Sequence, residues 1–378
     1  MPLGSAPAKC YLFEIFIFSN SIKTVSNINV PLTRLKTMNA EILAKVIRGE
    51  TVESIHRGHL LIIDGEGNDV AAIGDVEMIT FIRSSAKAFQ VIPFLVGGAA
   101  ERFGFIESEI ALAVASHSGE KIHTTIAEKM LKKIGLSESD LRCGAHTPFD
   151  EKRAEEMIKS GEKPTQLHNN CSGKHAAMLA FAKHIGADLE TYDLIENPVQ
   201  QAILETISQF TETPKEEIPI GVDGCAAPNF AVSVRAMAKS FLKLVFPPES
   251  FDEELREACW RIVSAMMSYP ELIGGTERLD TLLMNAARGK FISKIGAEGV
   301  WLCGVLPNQQ WKKGLGIAMK IEDGDDKRAR AVISVEVLRQ LGIFTETTLQ
   351  RLSPLPITNR RGNTVGRVEA SFNLMKSA

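Results

Sequence analysis

The apolar and polar positions divide the chain into strands at both ends and helices in the middle. Residues 59–64 (His-Leu-Leu-Ile-Ile-Asp) form a continuous apolar run, 65–68 a glycine-rich turn, and 69–74 a second extended run, a pattern that predicts a hairpin. A helix is expected from near Ser84 to the residue before Pro93, where the proline ring disfavours helical backbone. Apolar residues recur every three or four positions over 150–161, 174–185, 198–210 and 251–267, which predicts four more helices. The last should stop before Tyr269-Pro270. Residues 299–306 and 314–321 read as strands, 322–325 as a turn, and 328–341 as a final helix capped by Gly342. The layout predicts an α/β (α+β) domain built from both ends of the chain, with a helical insert at roughly 145–270.

Composition narrows the class. Of the 378 residues, 44% are hydrophobic and 24% charged, as in ordinary globular enzymes. A net charge of −3 with no basic arm favours neither nucleic acid nor an anionic membrane. Six cysteines are too sparse for a disulfide framework and suit a reducing compartment, with some available for metal. Residues 1–37 read differently from the rest. Their apolar stretch is interrupted by Glu14, is too short to span a bilayer and lacks a small-residue cleavage site. The expectation is a disordered or artefactual extension at 1–37, a catalytic domain over 38–378 and a cytoplasmic protein.

Candidate chemistry lies in three constellations. In Arg83-Ser84-Ser85-Ala86-Lys87, Ser84 and Lys87 are three positions apart and share a helix face, whereas Ser85 points elsewhere. A serine hydroxyl needs a base to take its proton, and a desolvated lysine can serve. A serine at a helix start also lies near the positive end of the helix dipole. Lys294-Ile295-Gly296 is a K-x-G triplet of the kind that closes serine acyl-transfer sites. Two lysines in one cleft lower each other's proton affinity, so that one can be neutral and act as a base. Ser116, in Ala115-Ser116-His117-Ser118-Gly119, is a corner residue that offers a cap or a second, proton-relaying hydroxyl. Asn170-Cys171-Ser172-Gly173-Lys174-His175 and Asp223-Gly224-Cys225 suggest a metal site, and spacing alone nominates Cys171, His175 and Cys225. Cys143 and His146 form a further C-x-x-H pair with nothing clear to complete it.

Together and in this order, these motifs resemble the rhizobial-type, thermolabile L-asparaginases, a family similar in fold to serine β-lactamases and serine-dependent glutaminases. Pro270-Glu271, Leu141-Arg142-Cys143-Gly144 and Lys320-Ile321-Glu322-Asp323-Gly324 also carry the resemblance, which covers roughly 54–343. It implies a central antiparallel sheet flanked by helices, a homodimer, and two Ser–Lys tandems in one pocket, Ser84 with Lys87 and Ser116 with Lys294. It further implies zinc held by Cys171, Lys174 and Cys225, tuning substrate affinity without activating water, with Asp223 nearby. His175 then becomes a substrate-side candidate beside Arg83 and Asp223. Three departures stand out: the leading 37 residues, the tail after Thr345, and a short segment at 246–251.

The expected reaction is hydrolysis of L-asparagine to L-aspartate and ammonia through an acyl-enzyme on Ser84. Glutaminase activity and penicillin recognition are the enzymatic alternatives, the latter opposed by the lack of an S-x-N motif between Ser84 and Lys294. A zinc-stabilised binding protein without catalysis is the non-enzymatic one.

Overall fold

The computed structural model describes residues 39–374, so the expectations for 1–37, and for Cys10 within it, lie outside the described residues. The long apolar runs become strands because their side chains are buried on both faces of one sheet, between helices. In chain order the strands are β1 (Glu41–Arg48), β2 (Thr51–Asp64), β3 (Asp69–Ile73), β4 (Ile79–Phe81), β5 (Ile220–Val222), β6 (Pro228–Ser233), β7 (Phe291–Gly296), β8 (Val300–Val305), β9 (Leu315–Ile321), β10 (Leu355–Thr358) and β11 (Thr364–Ala370). The main sheet is antiparallel, in the order β10-β11-β1-β2-β9-β8-β7, with β3 paired to the distal half of β2. β7, β8 and β9 are buried at every position. The expected hairpin is β2–β3, but β2 begins earlier, at Thr51, because its first half pairs with β1. β4, β6 and β5 form a small second sheet.

Helices cover the main sheet and form the other layer of the core. The helix Val234–Val245 lies across β8 and β9, so closely that a Cβ at Gly304 would stand 2.6 Å from Val245 and 3.0 Å from the carbonyl of Phe241. An aromatic cluster joins the helical layer: Phe89 is 5.0 Å from Phe210 and 5.8 Å from Phe241 between ring centroids, and Phe210 is 5.1 Å from Phe251. The expected mixed α/β architecture, an antiparallel sheet flanked by helices, is observed.

Two expectations need correction. The first helix does not end before Pro93 but runs from Lys87 to Val96 with the proline inside it. A proline inside a helix, which removes one backbone hydrogen bond and crowds the carbonyl four residues back, costs about 3 kcal/mol. Continuing for another turn buries Phe94 and Leu95, worth about 1.5–3 kcal/mol each. The segment 145–270 is also not wholly helical, since it contributes β5 and β6. The tail after Thr345 is part of the sheet, with β11 pairing along β1 from Ala44↔Ala370 to Arg48↔Gly366.

Candidate active site

Ser84 lies on a 3-10 turn, Arg83–Ala86, that leads into the helix beginning at Lys87. The turn is anchored on β6: the Ile82 amide donates to the carbonyl of Phe230 (3.0 Å) and the Arg83 amide to Asn229 Oδ1 (3.2 Å). Arg83 has φ of 54°, in the left-handed region that side-chain-bearing residues rarely adopt. This backbone kink turns the two serines in different directions. Ser84 lines a cavity of about 530 Å³. Ser85 is fully buried and donates to the carbonyl of Lys294 (2.9 Å).

Ser116 follows the helix Glu107–Ala113, so the corner is helix-to-loop, and its amide donates to the carbonyl of Ile273 (2.8 Å). Its side chain also faces the cavity. Lys87 Nζ donates to Ser116 Oγ at 3.0 Å and Lys294 Nζ donates to the same oxygen at 2.8 Å. Lys87 also donates to the carbonyls of Ala115 (2.6 Å) and Asn170 (3.2 Å), and no hydrogen bond joins it to Ser84. The two lysines thus converge on one hydroxyl, in the pocket where the resemblance implies the tandems Ser84–Lys87 and Ser116–Lys294.

Lys294, on β7, is fully buried, and this loss of water lowers its proton affinity to about 7. Asp280 opposes the shift from 3.6 Å, and the charges of Lys87 and Arg278 add to it. Asp280 opens the helix Leu279–Ala286 and is itself fully buried. Its carboxylate accepts from Ser293 Oγ (2.7 Å) and from the Ile295 amide (3.1 Å), while Ser293 Oγ accepts from Trp301 Nε1 (2.9 Å). Sequence reasoning missed Asp280, because its partners lie on a strand that only the fold brings alongside.

Arg83 and Asp223 form an ion pair at 3.0 Å, and neither lines the cavity. His175 is fully buried away from the cavity wall, with Nδ1 2.7 Å from the hydroxyl of Tyr192. Lys174 Nζ donates to Cys225 Sγ at 3.1 Å. A hydrogen bond from Cys171, with the charge of Lys174, holds the Cys225 thiol far below its usual proton affinity, while that of Cys171 rises. Nε2 of His175 has no hydrogen-bond partner, and the neighbouring Cys225 sulfur partly offsets the loss of proton affinity that burial causes.

Among the described residues no three His, Cys, Asp or Glu side chains are grouped to hold a metal ion, so a site here needs Lys174 as a donor. Two sulfurs and an amine converge, with an unpartnered imidazole nitrogen beside them, and this soft N/S set suits zinc. Cys143 and His146 do not join it. Cys143 Sγ bonds the carbonyl of Gln166 (3.6 Å), and His146 Nε2 accepts from the Asn170 amide (3.0 Å).

A serine-lined cavity backed by two buried lysines, in a mixed α/β fold, has the groups that serine-dependent hydrolysis needs. The chain belongs to the L-asparaginase II family, whose model matches residues 44–370. Among solved structures it is similar to a probable glutaminase from Bacillus subtilis complexed with 6-diazo-5-oxo-L-norleucine, at 14% identity, 76% of this chain and 85% of that one, with a TM-score of 0.36. It is also similar to a beta-lactamase from Burkholderia ambifaria, at 12% identity, 76% of this chain and 94% of that one, with a TM-score of 0.37. Comparison with the curated proteins finds no match. Among the described residues no helix is long and apolar enough to cross a membrane.

Proposed function

We propose that the enzyme hydrolyses the side-chain amide of L-asparagine to L-aspartate and ammonia, with Ser84 as nucleophile. The observation that carries this reading is Ser116, held between the buried Lys87 and Lys294 in the cavity that Ser84 lines.

Lys294, which loses its proton near pH 7, takes the Ser116 proton in its neutral form while Ser116 takes one from Lys87. Lys87 is then free to accept the proton of Ser84 as Ser84 Oγ bonds to the amide carbon. The Ser84 backbone N–H is the oxyanion donor we assign. The C–N bond breaks and Lys87 returns the proton to the departing ammonia. Water then attacks the aspartyl ester, gives its proton to the same relay, and Ser84 recovers its own.

Cys171, Lys174 and Cys225 would hold zinc, which would supply a fixed positive charge next to the peptide Asn170–Cys171. The carbonyl of Asn170 accepts from Lys87, so this peptide joins the two groups of residues. Arg83 and Asp223 shape the approach to the metal residues through their ion pair. The homodimer follows from the family resemblance, and the cytoplasmic location from six cysteines that suit a reducing compartment.

The test is ammonia release from L-asparagine and L-glutamine by wild type and Ser84→Ala, with and without zinc. Asparagine turnover that Ser84→Ala loses supports the reading. Turnover of glutamine alone moves the assignment to glutaminase, and turnover of neither overturns it.

A further inference from the structure

Several cations lie in or behind the cavity wall, most of them already engaged. Lys87 and Lys294, buried behind it, bond Ser116, which lines it. Arg330 pairs with Asp326 at 2.5 Å and donates to the carbonyl of Gly296 at 2.5 Å. Lys327 is exposed at the rim. Arg278 differs from all of these. It is partly buried in the wall and, among the described residues, its guanidinium has neither an ion-pair nor a hydrogen-bond partner.

Its position is fixed by stacking. The guanidinium carbon lies 5.4 Å from the centroid of the Phe149 ring, which also lines the cavity, and Phe149 stacks in turn on His146 at 4.7 Å. A ring against the guanidinium face holds the group and leaves the planar edge, with its N–H fork, uncommitted. That fork matches a carboxylate in two-point geometry. Burial lowers the proton affinity of Arg278, and the neighbouring acids oppose this without reaching ion-pair distance. The nearest acid in sequence, Glu277, is instead paired with Arg351 at 2.8 Å.

We propose that Arg278 is the anchor for the substrate's α-carboxylate, restricting the enzyme to free amino-acid amides. This rests on the amidohydrolase reading above and adds its specificity determinant. A substrate with a carboxylate would complete the one half-buried cation of the wall left unpaired among the described residues. An amide without a carboxylate would leave it desolvated and alone.

The experiment compares L-asparagine with 3-aminopropanamide, which keeps the amide and the ammonium but lacks the carboxylate. Wild type should lose roughly 10- to 150-fold in kcat/KM on the truncated substrate, the range for a charge-assisted hydrogen bond. Arg278→Gln should lose a similar factor on L-asparagine, chiefly in KM, and little more on 3-aminopropanamide. Arg278→Lys should fall between. Wild type that hydrolyses both substrates equally well overturns the proposal, as does Arg278→Gln with undiminished discrimination. If wild type turns over neither amide, the reading of the reaction fails on its own. Calorimetric titration with L-aspartate then decides the anchor. Binding about tenfold weaker in Arg278→Gln supports it, and equal titrations overturn it.

Discussion

Asp280 Oδ2 stands 3.6 Å from Lys294 Nζ, and both side chains are entirely excluded from solvent. The carboxylate raises the proton affinity of Lys294 while burial lowers it, and burial prevails, leaving the amine near 7. The acid limb of the pH–rate profile should therefore have its midpoint about there, with activity rising as Lys294 loses its proton. Asp280→Asn removes the negative charge that favours the charged amine, so the limb should move to lower pH. Steady-state rates across pH 5–9 check this, and an unmoved limb would show that another group titrates.

The two adjacent serines should separate function from stability. Ser84→Ala should abolish nearly all turnover yet melt like wild type, since its hydroxyl faces the cavity. Ser85→Ala strips the buried carbonyl of Lys294 of a donor and should cost about 1–3 kcal/mol, with turnover changed only a few-fold. Thermal melts beside ammonia assays test the pair, and equal activity losses would contradict the orientation of the turn.

Gly296 closes the cavity where β7 meets the serine turn. A Cβ there would lie 2.9 Å from the carbonyl of Ile82 and 3.2 Å from Cβ of Arg83. Gly296→Ala should displace Ser84 from Ser116, cutting kcat by about 10²-fold, the scale of a misplacement near 1 Å. Stability should fall by about 1–3 kcal/mol. Undiminished kcat would mean that the turn and the strand move together.

Metal loading has its own readout. Cobalt(II) added to the apo-protein should give a visible thiolate absorption and release protons, because the ligands must shed theirs. Cys225→Ser should abolish the band. A colourless wild-type titration would remove zinc from the proposal without touching the serines.

Local spacing made part of this site readable in the sequence. Ser84 and Lys87 lie within one turn, and Lys294-Ile295-Gly296 is a contiguous triplet. What the spacing could not give is which atoms meet. Ser116 bonds both lysines because the helix Glu107–Ala113 delivers it between them, a tertiary fact with no local sign. Asp280 and Arg278 occupy an unremarkable polar stretch, and only the fold sets one against β7 and the other against Phe149. The helix through Pro93 was misread for the opposite reason, since a strong local rule gave way to burial of the next turn. β1, β10 and β11 escaped notice as well, because partly exposed strands carry weak apolar runs.

The bond from Ser85 Oγ to the carbonyl of Lys294 spans 209 positions of chain. A growing polypeptide therefore makes its nucleophile early and waits for most of its length before β7 arrives to lock the turn. The enzyme should stay silent through most of its own synthesis. In refolding, ammonia release should return later than the helical signal, because so distant a closure is slow. Turnover in this protein thus reports the end of folding, and a clipped or stalled chain has no partial activity to spend on the amide pool around it.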